Sequence, residues 1–168
     1  MGKMTVKGLD AYLARMSALE RATDKVVKAA VYEGARVVAD AVRSGLESLP
    51  TSEHEGRPWW GTPGHLARGP SEEQKKGLME SFGVTPIDED GKGFINVHIG
   101  FDGYNSVRSD QWPQGQPNQM VARAVESGTS FMEANPVIKK SVAQSRKKAE
   151  KAMEQVINGE IDKVANGA

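Results

Sequence analysis

The stretch AVESGTSFMEANPVIKKSV (Ala124–Val142) decides how the last part of this chain is connected to the rest. An apolar, helix-like run reaches Glu126-Ser127-Gly128-Thr129, crosses a short apolar segment and restarts at Asn135-Pro136. Asn is a favoured helix N-cap and Pro is favoured at the first helical position, so a helix is predicted to begin there. Glycine adopts backbone conformations that other residues avoid, so Gly128 is predicted to allow a bend. We therefore predict a structural joint that contains Gly128, Thr129, Asn135 and Pro136.

The segment that follows the joint is predicted to be a long C-terminal helix, with the joint and helix together spanning about residues 119–165. Its basic residues are concentrated near the start, where only Glu150 interrupts them. Because a helix turns by about 100° per residue, Lys140, Lys147 and Lys151 share one face. This face is either a solvated surface or a phosphate contact, and the residues leave both interpretations open. The apolar stripe of the same helix is predicted to contain Ile138, Val142, Ser145, Ala149, Ala152, Met153, Val156, Ile157, Ile161 and Val164.

The N-terminal part of the chain, about residues 6–49, is predicted to be helical because its apolar residues recur at helical spacing. Thr23-Asp24 is a capping signal, so a second helix is predicted to begin there. Gly34 and Gly45 fall near the apolar face of that second helix, which indicates the close approach of another element. Pro50 is predicted to end the helix.

The middle of the chain is predicted to contain two long loops and a β-hairpin. The first loop, about residues 51–75, carries Trp59 and Trp60, and the second, about 102–118, carries Trp112. The hairpin region is predicted over about 77–101, with strands at Val84–Ile87 and Phe94–Phe101 around an Asp/Gly-rich turn. The fold is therefore predicted to be α+β within one domain, 1–168. A small antiparallel sheet, the hairpin plus one or two further strands, packs with long N- and C-terminal helices.

Composition narrows the possible functions. The chain has 22 basic and 22 acidic residues and a net charge of zero, so strong overall attraction to nucleic acid or anionic membrane is not expected. It has no cysteine, which excludes disulfides, thiolate metal sites and a cysteine nucleophile. No apolar run approaches the roughly 20 residues of a membrane span, and the N-terminus lacks the pattern of a signal peptide. We expect a protein made in a cytoplasm, with no membrane contact.

No catalytic or metal-binding pattern stands out. His54-Glu55 begins like a metalloprotease helix, but Pro58 stands where the second His would be. His65 and His98 are scattered, and the hydroxyls of Ser127, Thr129 and Ser130 do not form a nucleophile elbow. We therefore expect no enzyme activity, no cofactor and no metal. The alternative is a hydrolase that combines the histidines with Thr129 or Ser130.

The order of these motifs resembles a known family. Val-Lys-Gly-Leu at Val6–Leu9 precedes the helices, Gly77-Leu78 and Ser81 follow the first loop, and a strand ends at Ile99-Gly100. The joint, Met132 and the Asn-Pro start complete the pattern. It resembles the neck, minor tail or tail-completion (head–tail joining) proteins of long-tailed double-stranded DNA bacteriophages of the siphovirus type. The chain departs from the family at Ser127, where an aromatic residue is usual, at Glu133–Val137, and in the length of the Trp-bearing loop.

The resemblance implies a virion structural protein rather than an enzyme. It implies a homo-oligomeric ring, expected to be hexameric, at the upper end of the tail, with the DNA path through its centre. The expected partners are the tail terminator or tail-tube protein, the head-closure or connector proteins, and packaged DNA in weak contact. The expected location is the virion tail or neck, after assembly in the host cytoplasm.

Aromatic and basic residues are the candidates for contacts in such a ring. Aromatic side chains dominate interface hot spots, so Trp59, Trp60, Trp112, Phe131 and Met132 are candidate interface residues. Burial within their own subunit is the competing interpretation for the tryptophans. The candidate contacts with the DNA path or a partner are Lys140, Lys147 and Lys151. The same three lysines support the alternative function, a small nucleic-acid-binding protein that uses its C-terminal helix.

Overall fold

The computed structural model describes residues 9–52, 61–89 and 94–165, with side chains described for 23–52, 61–88 and 94–163. These residues form four helices and four short strands. The predicted α+β class, with long helices at both ends of the chain, is confirmed. The helices are α1 (Leu9–Glu47), α2 (Glu72–Ser81), α3 (Asn118–Ser127) and α4 (Val137–Ala165), and the strands are β1 (Phe82–Val84), β2 (Asp88–Glu89), β3 (Ile95–Asn96) and β4 (Ile99–Phe101).

Helices α1 and α4 pack against each other in antiparallel orientation. A Cβ atom added to Gly34 would lie 2.7 Å from the Met153 side chain, and one added to Gly45 would lie 2.6 Å from Ser141 Oγ. The order of these contacts runs forward along α1 and backward along α4, so the two helices are antiparallel. The expectation that Gly34 and Gly45 mark the close approach of another element is confirmed, and that element is α4.

Helix α1 is continuous through Thr23-Asp24, so the predicted second helix start is wrong. A capping residue begins a helix only where the chain is not already helical, and no Gly or Pro lies between Leu9 and Glu33 to interrupt it. The helix ends at Glu47, just before Pro50. Lys75 Nζ donates hydrogen bonds to the carbonyl oxygens of Glu47 (2.8 Å) and Leu49 (2.7 Å), which satisfies carbonyls near that terminus.

Helix α2 begins inside the segment 51–75 that was predicted to be a loop. Ser71 Oγ accepts a hydrogen bond from Gln74 N (3.2 Å), and Gln74 Oε1 accepts one from Ser71 N (3.0 Å). This reciprocal pair is a capping box, so the helix begins at Glu72. The Ser-x-x-Gln spacing at Ser71–Gln74 indicates this helix start in the sequence. The glycines and prolines that precede it led to the prediction of a loop.

The predicted hairpin is present, but its strands are short. Strand β1 pairs antiparallel with β4, and β2 pairs antiparallel with β3. Between the two ladders, three residues (85–87) face two (97–98), so the register shifts by one residue as in a β-bulge. Pro86 has no N–H to donate, which accounts for the interruption. A continuous strand over 94–101 is therefore wrong, and no further strand joins the hairpin within the described part of the chain.

The core consists of two adjoining clusters. The first contains Leu49, Leu78, Val121, Ala122 and Val125, and the second contains Ala39, Val42, Leu46 and Phe82. Phe101, Val137 and Ile138 contact both clusters, so the base of the hairpin and the first turn of α4 connect them. Since α4 begins immediately after the joint, the geometry of the joint determines how the two clusters meet.

Candidate functional site

Gly128 has a backbone conformation that strongly favours glycine. Its φ of 71° and ψ of 171° lie in a region that residues with a side chain rarely occupy. A Cβ atom at this position would lie 3.0 Å from Ala134 N and 3.2 Å from Met132 O. Both the backbone conformation and the surrounding space therefore require glycine at the end of α3.

The hydroxyl of Thr129 is used within a tight turn. Thr129 N donates to Met132 O (2.9 Å), and Phe131 N donates to Thr129 Oγ1 (3.1 Å). Short polar side chains commonly satisfy nearby backbone groups in this way. The Thr129 hydroxyl therefore has a structural role in this turn, as expected for a residue of the predicted joint.

The joint is hydrogen-bonded to the end of the first loop. Ala67 N donates to Phe131 O (2.9 Å), and Glu133 N donates to Ala67 O (2.8 Å), so Ala67 pairs with the joint like a short parallel strand. Asn135 Nδ2 donates to Arg68 O (2.7 Å). The joint is therefore held by residues more than 60 positions earlier in the chain, which fixes the point from which α4 departs.

The cap of α4 comes from α3. Glu126 accepts hydrogen bonds from Ile138 N through Oε2 and from Lys139 N through Oε1, each at 3.0 Å. A carboxylate at a helix N-terminus is favourable because it faces the unpaired N–H groups and the positive end of the helix dipole. The prediction that Asn135 caps the helix is wrong, since its side-chain amide donates to carbonyls of the joint and the loop. Pro136 directly precedes the first helical residue.

The predicted aromatic interface residues do not form one surface. Trp59 and Trp60 lie outside the described residues. Trp112 is half-buried, and its backbone closes a turn with Ser109. Phe131 is 51% exposed, whereas Met132 packs against the first core cluster. Among the described candidates, only Phe131 presents a large exposed apolar side chain.

The predicted lysine stripe is exposed. Lys140, Lys147 and Lys151 all lie on the outer surface of α4. The buried stripe of the helix, Ser141, Ser145 and Ala149, lies roughly 140° around the axis from them. The three ammonium groups therefore point away from the core and are available to an external partner.

A second surface of α4, which we call the α1/α4 groove, was missed by sequence analysis. It has a volume of about 470 Å³, and Val38 of α1 forms part of its wall. Val142 belongs to the predicted apolar stripe but is 44% exposed, because α1 covers only one edge of that stripe. The remaining lining residues are Ile138, Lys139, Ala143, Arg146, Ala149, Glu150 and Met153.

The charges around this groove are unequally balanced. On the α4 side, Arg146 Nε lies 2.9 Å from Glu150 Oε1, while Lys139 is exposed at the other end. The Lys139 ammonium is therefore the charge lining the groove that no described ion pair balances. The ion pairs of Arg36 with Glu33 and Asp40 (2.7 and 2.9 Å) lie on α1 outside the groove lining, and the hydrogen bond from Arg36 lowers the pKa of the Glu33 carboxyl.

Another cavity, of about 400 Å³, lies between α2 and the second loop. Two buried amides border it, Asn105 and Asn118. Asn118 Nδ2 donates to Asp102 O (3.0 Å) and Asn105 Oδ1 accepts from Val107 N (2.9 Å), so each side chain holds a loop backbone group. A Cβ atom at Gly77 would lie 2.6 Å from Asn105 Cβ, so glycine is needed for α2 to approach this loop.

The described residues contain no cluster of three His, Asp or Glu side chains able to hold a metal ion. His65 and His98 are both exposed, and His54 lies outside the described part of the chain. Among the helices that the structure describes, none is both long enough and apolar enough to cross a bilayer.

Comparison with known proteins adds no relative. No protein-family model, no curated protein and no solved structure matches this chain.

Proposed function

We propose that this chain is a virion structural protein of a long-tailed double-stranded DNA bacteriophage. It would serve as a tail-completion or neck component, forming a homo-oligomeric ring at the head–tail junction or the upper end of the tail. DNA would pass through the ring. Support comes from the order of motifs along the chain and from an architecture in which the long helices α1 and α4 pack together and a braced segment joins α3 to α4.

The observation that carries this proposal is the exposure of large apolar side chains in separate parts of the fold. Phe94 is 65% exposed beside the hairpin turn, Phe131 is 51% exposed at the joint, and Val142 is 44% exposed in the α1/α4 groove. A subunit of a closed ring needs two different surfaces, because each copy contacts one neighbour on each side. Apolar side chains exposed at several distinct places are typical of such contact surfaces.

The charge distribution fits a ring that DNA traverses without being held. The whole chain is neutral, yet Lys140, Lys147 and Lys151 form an exposed stripe. If this stripe lines the channel, it provides a weak electrostatic guide for DNA, and if it faces outward, it pairs with an acidic neighbour. The neighbours proposed are further copies of the chain in a hexamer, the tail terminator or tail-tube protein, and the head-closure or connector proteins. The proposed location is the virion neck, with assembly in the host cytoplasm.

The direct test is the composition of purified virions. We expect mass spectrometry of gradient-purified particles to detect the chain at a ring-like copy number, and immunogold labelling to mark the neck. A phage with a stop codon in this gene should accumulate filled heads and separate tails, and the gene supplied in trans should restore joined particles. Absence of the chain from wild-type particles would refute the proposal. A monomeric state of the purified protein would not, because some ring subunits assemble only on their partner.

The second candidate function is nucleic-acid binding by α4, which the exposed lysine stripe favours. Replacing Lys140, Lys147 and Lys151 by Glu should weaken DNA binding and reduce the slope of log K against log salt by about 3, because the slope changes by roughly 0.9 per phosphate contact. The matched control places the same charge change elsewhere, at the exposed residues Lys25, Lys76 and Lys163. Equal effects of the two triple variants, or no binding at low salt, would eliminate this function.

A further inference from the structure

We propose that the cavity between α2 and the second loop binds a carboxamide group, the side chain of an Asn or Gln residue in a partner polypeptide. This cavity, which we call the α2/loop cavity, is lined by Gly77 and its neighbours on α2 and by Tyr104, Asn105, Ser106 and Asn118. It shares no lining residue with the α1/α4 groove or the joint. The site is independent of the tail-completion function, and its tests do not require virions.

Each of the two buried amides has one end fixed by the loop backbone. Asn105 Oδ1 accepts a hydrogen bond from Val107 N (2.9 Å), and Asn118 Nδ2 donates one to Asp102 O (3.0 Å). These bonds determine which end of each amide carries the oxygen, because a reversed amide would place two donors or two acceptors together. The other ends are therefore a donor, Asn105 Nδ2, and an acceptor, Asn118 Oδ1.

These two remaining atoms have no hydrogen-bond partner among the described residues. Asn105 is only 6% exposed and Asn118 only 2% exposed. Folded proteins pair nearly all buried polar atoms, because an unpaired one costs the free energy of its lost hydration. An occupant that supplies both an acceptor and a donor therefore binds favourably at this place.

A carboxamide is the group that matches this pair of atoms. Its carbonyl oxygen accepts from Asn105 Nδ2, and its N–H donates to Asn118 Oδ1, both from one planar group. A carboxylate lacks the donor, and an ammonium or guanidinium group lacks the acceptor.

Gly77 is the point of α2 at which the two amides converge. A Cβ atom added there would lie 2.6 Å from Asn105 Cβ and 2.9 Å from Asn118 Oδ1. The unpaired atoms are enclosed where α2 meets the loop, so an occupant reaches them by moving the loop outward from Gly77. Binding should therefore change the environment of Gly77 as well as that of the two amides.

The charged edge of the cavity is unfavourable for a nucleotide. Glu73, Lys76 and Glu80 lie on the same face of α2 as Gly77, because they are separated by three, four or seven residues. Lys76 Nζ lies 3.8 Å from Glu80 Oε1, and no described ion pair balances Glu73. The bases of nucleic acids also present donors beside acceptors, but their phosphates would meet this excess of negative charge.

The size of the cavity and its exposed ring favour a polypeptide as the carrier of the carboxamide. The volume of about 400 Å³ exceeds what one carboxamide group fills, which leaves space for the chain that carries it. Tyr104 is 62% exposed on the loop side of the cavity. Exposed tyrosines are enriched at protein interfaces, where the ring packs against apolar atoms and the hydroxyl bonds to polar ones.

The test compares two blocked amino acids of similar shape on the full-length, ¹⁵N-labelled chain. The probes are N-acetylglutamine methylamide and N-acetylmethionine methylamide, which differ in the side-chain carboxamide. We expect the glutamine probe to shift the side-chain NH₂ signals of Asn105 and Asn118 and the backbone signal of Gly77. The shifts should saturate with a dissociation constant of about 1–10 mM, and the methionine probe should bind at least about tenfold more weakly.

Two results of this comparison would overturn the proposal. One is the absence of saturable shifts at these signals with the glutamine probe, and the other is equal binding of the two probes. A short oligothymidylate that shifts the same signals at lower concentrations than the glutamine probe would also overturn it, because the cavity would then be a nucleic-acid site.

Asn105→Asp changes the unpaired donor while keeping the fixed end of the side chain. One carboxylate oxygen still accepts from Val107 N, but the other replaces the NH₂ group that would face the ligand carbonyl. We expect the glutamine probe to bind at least about tenfold more weakly to this variant. The matched control is Asn158→Asp, the same substitution at an exposed position of α4, which should leave binding unchanged.

Undiminished binding by a folded Asn105→Asp protein would contradict the role of the free donor. Folding is checked by circular dichroism. The comparison of the two probes on the wild-type protein decides the question even if the buried carboxylate prevents this variant from folding.

The source of the carboxamide is identified by adding the unlabelled full-length chain to the labelled one. Shifts of the Asn105, Asn118 and Gly77 signals would show that a second copy supplies the group. With the glutamine probe bound but no shift from the unlabelled chain, the carrier is a different polypeptide. Both results are separate from the presence of the chain in virions, so failure of this site and failure of the tail-completion function remain distinguishable.

Discussion

Gly128 is the residue whose identity matters most to the joint. Its φ of 71° permits the chain to leave α3, and a Cβ atom here would lie only 3.0–3.2 Å from atoms of Met132 and Ala134. We expect Gly128→Ala to lower the free energy of unfolding by about 1–3 kcal/mol through backbone strain alone, and Gly128→Val to lower it further. Urea unfolding measures this change.

The matched control for Gly128 is Gly159→Ala. Gly159 lies within α4 with no atom near its added Cβ position, so alanine should raise stability by up to about 1 kcal/mol. Equal stability of the Gly128→Ala and wild-type proteins would show that the joint relaxes without strain.

Glu126 is important at the residue scale because it serves a helix other than its own. It lies in the last turn of α3, where a negative charge is unfavourable, yet it caps α4. We expect Glu126→Ala to cost about 1–2 kcal/mol of unfolding free energy, measured by thermal or urea unfolding. Glu133→Ala removes an exposed carboxylate from the same joint and should change stability by less than about 0.5 kcal/mol. Equal losses for the two variants would argue against the cap.

The structural roles of some single residues could be predicted from the sequence, and the roles of others could not. The bend at Gly128 could be predicted because Gly between a helical run and polar residues is a local signal. The role of Glu126 could not, since its partners are the amides of residues 12 and 13 positions away, and only the fold brings them to the carboxylate. Asn135 matches the sequence pattern of a helix cap, but its side chain donates a hydrogen bond to the carbonyl oxygen of Arg68 instead of capping α4.

At the element scale, the contact between α1 and α4 depends on small residues. An alanine at Gly45 would place its Cβ atom 2.6 Å from Ser141 Oγ. We expect Gly45→Ala to destabilise the wild-type protein but to be neutral or stabilising in a Ser141→Ala background, where the obstructing oxygen is absent. The coupling free energy from this double-mutant cycle should be about 1 kcal/mol or more. Additive effects would show that the helices move apart instead of resisting the methyl group.

Helices and strands with a clear apolar periodicity were predicted correctly, but the residues at which they begin and end were predicted less accurately. Both long helices and the hairpin follow from apolar periodicity and turn residues. The false boundary at Thr23-Asp24 arose because a capping signal has no effect inside an uninterrupted helix. The missed start of α2 at Ser71 arose because a capping box was hidden among glycines and prolines.

At the scale of the whole molecule, stability is expected to be uneven. Val42, Leu46, Val121 and Val125 are almost completely buried in the two core clusters, whereas most of residues 158–163 are exposed. We expect the amides of those four residues to exchange hydrogen at least about 100-fold more slowly than the amides of 158–163, because the latter open locally. Hydrogen exchange with mass spectrometry or NMR measures this difference. Uniform protection along α4 would mean that the helix opens only with the whole fold.

The sequence by itself determined the α+β class, the two long helices, the hairpin and the close approach at Gly34 and Gly45, because these depend on patterns within a few turns of chain. Only the tertiary structure decided that Glu126 caps α4, that loop residues brace the joint, and that Val142 lines an open groove. These features join groups far apart in the sequence, or depend on how much of an apolar stripe the neighbouring helix covers. Periodicity identifies an apolar face, but the packing of the other elements determines which part of that face remains available to a partner.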